Sequence, residues 1–132
     1  MASFTYTVWS NSPPTHIMQK LQKVFEKINY SLRNPASEKI HCWLPNENQI
    51  DASELHNFLE HLPFGVQWWR GNDDIYVSIE NEFIVGGYTC RITLVGLTRQ
   101  EQAELAKLLI ENITPEKNQF PDDFFVFGLS AQ

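Results

Sequence analysis

Residues 74–96 read DIYVSIENEFIVGGYTCRITLVG, with apolar and polar positions alternating on either side of Gly86-Gly87. A period of two is the signature of a strand with one buried face. Two adjacent glycines accept positive φ at both central positions of a two-residue hairpin turn, so the pair reads as the point of reversal. That register sets Val85 against Tyr88, Phe83 against Cys90, Asn81 against Ile92 and Ile79 against Leu94. It also sets Glu82 against Arg91 and Glu80 against Thr93. One face becomes mostly apolar, with Asn81 the exception, and the other mostly polar, as a half-buried antiparallel pair requires.

The preceding stretch, residues 67–74, QWWRGNDD, extends the same sheet. Adjacent strand residues point to opposite faces, so one layer cannot hold both tryptophans. A two-residue turn at Gly71-Asn72 pairs Trp68 with Ile75. A four-residue loop over 71–74 pairs it with Val77. Either way Trp68 joins the apolar face, and Trp69 falls on the polar face near Tyr76 or Asp74.

Outward from this core, Phe4, Tyr6 and Val8 alternate with threonines and predict a strand over about residues 3–9. Ser12-Pro13-Pro14-Thr15 opens a helix with Ile17, Leu21, Val24, Phe25, Ile28 and Leu32 at helical spacing, which Asn34-Pro35 is expected to stop. Ile40, Cys42 and Leu44 share one face of a strand near 38–44, with Lys39, His41 and Trp43 on the other. Asp51 and Glu54 form a capping-box pattern and Ile50 and Leu55 a hydrophobic staple for a helix that ends at Pro63. Thr98 and Glu101 repeat the box for a third helix, through Leu105, Leu108, Leu109 and Ile113 to Pro115. A loop at residues 116–119 and a strand at 124–127 close the pattern. The expected fold is α+β: a two-layer sandwich in which three helices cover one face of a mostly antiparallel sheet of about six strands. The order is β-α-β-α-β-β-β-α-β, in a single domain over residues 1–132.

A length of 132 residues suits one domain, and 42% hydrophobic with 13% aromatic residues is a globular composition. The first residues lack a basic, then apolar, leader, and no apolar run is long enough to span a bilayer. With only Cys42 and Cys90, no disulfide scaffold is indicated, and a soluble cytoplasmic domain is expected. The net charge is −6. Residues 1–50 hold five Lys/Arg and three Asp/Glu (+2), and residues 51–132 hold five and thirteen (−8). Such a balance disfavours direct binding of nucleic acid, which needs clustered cations.

The polar face gives the candidate binding residues: Trp69, Tyr76, Glu80, Glu82 and Arg91, joined by His41, Trp43 and the turn carboxylates Asp73 and Asp74. Aromatics among charges match the composition of interface hot spots. Other chemistry is thin. His56 and His61 lie five apart, about 140° around a helix, so they do not converge on one metal ion. Cys42 and Cys90 fall on the inward face, as small apolar residues. Lys20, Lys23 and Lys27 read as the solvated side of the first helix. No catalytic residue, metal site or cofactor is expected.

In size, acidity and lack of catalytic motifs, the chain resembles the small immunity proteins that neutralise basic bacterial nuclease toxins. The resemblance implies a non-enzymatic module that steers onto a basic protein partner and occludes its active site. Two other readings stand beside it. One is a small-molecule-binding domain or enzyme with a pocket between sheet and helices, using His41, Cys42 or Tyr76. The other is a homodimer joined through the open sheet face.

Overall fold

Trp68 lies beneath the helical layer with no exposed surface, its ring edge-on to Phe25 at 4.8 Å. The structure is a computed structural model that describes residues 3–43, 46–115 and 119–131. Its strands are β1 (Phe4–Ser10), β2 (Ile40–Trp43), β3 (Glu47–Ile50), β4 (Phe64–Arg70), β5 (Asp73–Asn81), β6 (Tyr88–Leu94) and β7 (Phe127–Ala131). They form one antiparallel sheet of seven strands in the order β3-β2-β4-β5-β6-β1-β7. The helices α1 (Pro14–Glu26), α2 (Leu55–Leu59) and α3 (Arg99–Asn112) cover one side. The α+β sandwich is therefore as the alternation indicates, with one strand more than expected.

Inward positions follow the period of two: Tyr6 and Val8, Ile40 and Cys42, Phe64, Val66 and Trp68, Ile75, Val77 and Ile79, and Cys90, Ile92 and Leu94 are all buried. They meet Ile17, Leu21, Val24 and Phe25 of α1 and Leu105, Leu108 and Leu109 of α3 in one hydrophobic cluster. The Thr98–Glu101 capping box forms in full, with Glu101 N–H donating to the threonine oxygen and Thr98 N–H to the carboxylate.

Five local expectations are corrected. The β5–β6 ladder pairs Ile79 with Cys90 and Ile75 with Leu94, a shift of four residues from the glycine-centred register. Gly86-Gly87 is consequently the end of a six-residue loop over residues 82–87, closed by Glu82 N–H donating to Gly87 O at 3.0 Å. Because four is even, the residues that remain in the ladder keep their expected faces, while residues 82–87 leave the sheet. The Gly71-Asn72 alternative, by contrast, matches the structure: Trp68 pairs with Ile75 and Arg70 with Asp73.

The first helix ends eight residues before the expected stop at Asn34-Pro35. Asn29 takes a left-handed conformation (φ 67°), Tyr30 N–H reaches back to Phe25 O, and Asn29 N–H reaches Glu26 O. That is a Schellman closure with asparagine in place of glycine. The second helix shrinks to α2 preceded by a 3-10 turn at Ala52–Glu54, and Asp51 makes no cap bond. Asp51 instead pairs with Lys39 at 2.6 Å. The additional strand is β3, whose Glu47-Asn48-Gln49 carries no strand propensity and is held by pairing with β2. The last strand starts at Phe127 rather than Phe124. Leu44 and residues 116–118 lie outside the described residues.

Candidate protein-interaction face

Among the described residues, the helices pack on the inward face of the sheet. Across the middle of the outward face, the ladders place Trp43 beside Gly65, Gly65 beside Ser78, and Ser78 beside Arg91. Glycine and serine make a low floor between two taller walls. On one side Trp43 is 36% exposed and donates its indole N–H to Gln67 Oε1 at 2.8 Å. Gln67 passes its own N–H to Asp74 Oδ2 at 3.0 Å, so three strands hold the indole in place. Tyr76 leans over Gly65, where any Cβ would collide with its hydroxyl. Burial pushes the Tyr76 phenol above its ordinary pKa. On the other side Arg91 is matched by Glu80 in a direct ion pair.

Of the expected binding residues, the structure thus brings Trp43, Asp74, Tyr76, Glu80 and Arg91 together on this face. The others are placed differently. Asp73 shares the parity of Ile75 and Val77, so it sits on the helix side, with its carboxylate next to Gly96. Glu82 lies in the hairpin loop, where its two carboxylate oxygens accept from Ile84 N–H and the Thr89 hydroxyl. Trp69 points outward yet is half-covered, because Ser31 exchanges two backbone hydrogen bonds with it (2.7 and 2.8 Å) and brings the 31–38 loop alongside. His41, expected on the open face, is 8% exposed beneath that loop, its ring edge-on to Trp69 at 5.2 Å. Sequence reading missed Gln67 and Gly65, whose outward parity on β4 was the available signal.

His41 also occupies the middle of a hydrogen-bond relay. Its Nδ1 lies 2.8 Å from Glu47 Oε2 and its Nε2 3.1 Å from Ser37 Oγ. An ionised Glu47 only accepts, so Nδ1 is the donor to it, and the ring's other nitrogen shares a hydrogen bond with the serine hydroxyl. The sequence of groups is that of a serine-hydrolase triad, but such catalysis also draws several kcal/mol from free N–H groups facing the oxyanion. Here the N–H groups of residues 36–39 are engaged: Ala36 and Ser37 with Asn34 Oδ1, Glu38 with Asn34 O, and Lys39 with Ser37 Oγ. The relay pins the 31–38 loop to β2 and β3.

His41, Cys42 and Tyr76 do not converge on one pocket: Cys42 faces the core and the other two face outward. Both cysteine thiols are buried and unpaired, and burial pushes each up to about 12. Among the described residues no group of three His, Cys, Asp or Glu side chains is placed to hold a metal ion. No described helix is long and apolar enough to cross a membrane.

At the corner where β4 turns into β5, Arg70 stacks on the Tyr30 ring at 4.6 Å and donates to Glu101 at 2.7 Å and Ile28 O at 3.2 Å. This contact joins the sheet to the C-terminal end of α1 and the start of α3. The Arg70 guanidinium, with the Thr98 N–H, holds the Glu101 carboxyl below its ordinary pKa.

No family model matches the chain, and no solved structure matches it. It is similar to the secreted protein BARF1 of Epstein-Barr virus, in strains B95-8, AG876 and GD1. Each is 31% identical over 90 residues, covering 59% of this chain. The alignment spans 39% of the length of these relatives.

Proposed function

We propose that the chain is a non-enzymatic, acidic protein-binding module that occludes a basic partner with the outward face of its sheet. The reading extends to an immunity-type inhibitor of a nuclease-like toxin. One observation carries it: among the described residues, the middle of that face has no second layer, and presents Trp43 and Tyr76 among Asp74 and Glu80, with Arg91 already matched by Glu80. Fixed aromatics beside carboxylates suit a surface that is met by Lys and Arg, since oriented rings attract cations and carboxylates steer them. The net charge of −6 adds long-range attraction to a basic protein.

The test is photo-crosslinking in source cells from a benzoylphenylalanine placed at Tyr76. The purified adduct partner is then titrated against wild type and Glu80→Lys at low and high salt. A basic partner whose association slows in the variant and weakens with salt supports the reading. A salt-insensitive adduct with a second copy of the chain would replace it with a homodimer, and absence of any adduct would overturn it. We also place the chain in the cytoplasm, on the support of its two unpaired thiols. The matched relatives are named as secreted, and fractionation of source cells separates the two locations.

A further inference from the structure

The four-residue shift of the β5–β6 register lifts Phe83 and Ile84 out of the sheet. In the glycine-centred register Phe83 would lie on the apolar face opposite Cys90. In the structure Phe83 is 90% exposed and Ile84 85% exposed. Isolated surface leucines need no explanation, but two adjacent large side chains at the tip of a hairpin do.

The loop that carries them is built, not slack. Glu82 N–H closes it onto Gly87 O, and the Glu82 carboxylate takes Ile84 N–H at 3.0 Å. Gly86 and Gly87 both adopt left-handed backbone, at φ 81° and 74°. Trp9, nearly buried on β1, donates its indole N–H to Gly86 O at 2.9 Å and packs against Gly87. Phe124 braces the other side of that indole, edge-on at 6.3 Å. A preorganised loop loses little entropy on binding, so the apolar tip is presented at low cost.

The surroundings decide the occupant. Over residues 80–91 the charges are Glu80, Glu82 and Arg91, and Arg91 is already paired with Glu80, which leaves the net charge beside the tip negative. A loop that inserts into anionic membrane carries flanking cations, and this one carries the opposite charge. We propose that the Phe83–Ile84 tip is an apolar plug for a hydrophobic pocket rimmed by Lys and Arg on a protein partner. The plug rests on the reading of the chain as a protein-binding module, and supplies that module with a second anchor beside the outward face.

The experiment places benzoylphenylalanine at position 83, in parallel with position 76, in source cells. The purified adduct partner is titrated by calorimetry against wild type, Phe83→Ser/Ile84→Ser and Glu80→Lys. Thermal melts establish that both variants fold. The expected result is a shared partner from both positions and an affinity loss of roughly 30-fold or more for the double serine variant. Binding lost in the serine variant but kept in Glu80→Lys would retain the plug and sink the acidic-face reading. The reverse pattern would overturn the plug alone. No adduct at position 83, or binding of the wild type but not the serine variant to phosphatidylcholine vesicles with or without phosphatidylglycerol, would also overturn it.

Discussion

The two neighbouring tryptophans show how differently one residue type can act at adjacent positions. Trp68 is fully buried against Phe25, so Trp68→Ala should cost about 3–5 kcal/mol, the usual penalty for removing a large core aromatic. Trp69 leans on His41 at the margin of the 31–38 loop, and its replacement by alanine should cost roughly 1–2 kcal/mol. Urea denaturation of both variants checks the difference, and equal losses would mean that Trp69 is as much a core residue as Trp68. The opposite faces of this pair were legible from parity alone. The cover over Trp69 was not, because it comes from a loop about forty residues earlier in the chain. The two adjacent glycines also differ. A Cβ on Gly87 would lie 2.6 Å from Ser10 O and 2.9 Å from the Trp9 ring, whereas one on Gly86 meets nothing within 4 Å. Both carry the roughly 1–3 kcal/mol cost of left-handed backbone. Gly87→Ala should therefore lower the melting temperature clearly more than Gly86→Ala.

At the scale of elements, alternation was a reliable guide to faces and a poor one to ends. The β5–β6 register moved by four without turning over any residue that stays paired, since parity decides which face a strand residue takes. Chain punctuation misled where tertiary contacts offered a better bond. Asp51 has the right position for a helix cap, yet its carboxylate goes to Lys39. Thr98 has the same position before α3 and does cap, in a reciprocal box with Glu101, whose carboxylate Arg70 holds from the other side. That clasp gives the fold a dependence on acid. A carboxyl whose folded pKa is depressed contributes stability that is present above its unfolded value of roughly 4.3, and loses it as pH falls through the folded value. Melting temperature should drop below about pH 4.3 in the wild type, and Arg70→Met should be less stable at pH 7 with a shallower drop. Parallel pH slopes for the two proteins would show that the pair contributes little.

Across the whole molecule, the core and the binding surface draw on different parts of the sequence. The core was readable because burial imposes a period. The outward face has no such constraint, and its key contacts, Trp43 to Gln67 to Asp74, join strands far apart in sequence. The thiols belong to the first class. Cys42 and Cys90 were assigned inward and are buried, so both should resist a thiol reagent at pH 8 until denaturant is added. Fast labelling of either in the native protein would contradict the layering at its strand.

The sheet is not equally bonded throughout. Seven residue pairs join β4 to β5 and seven join β5 to β6, whereas among the described residues Cys42–Val66 and Trp43–Gly65 are the pairs that join β2 to β4. The β2–β3 hairpin should therefore detach as a unit well below the energy of global unfolding. Its amides should exchange with deuterium earliest among the strands. Each opening would bare the edge of β4, where a second molecule could insert its own β2–β3 hairpin and produce a swapped dimer.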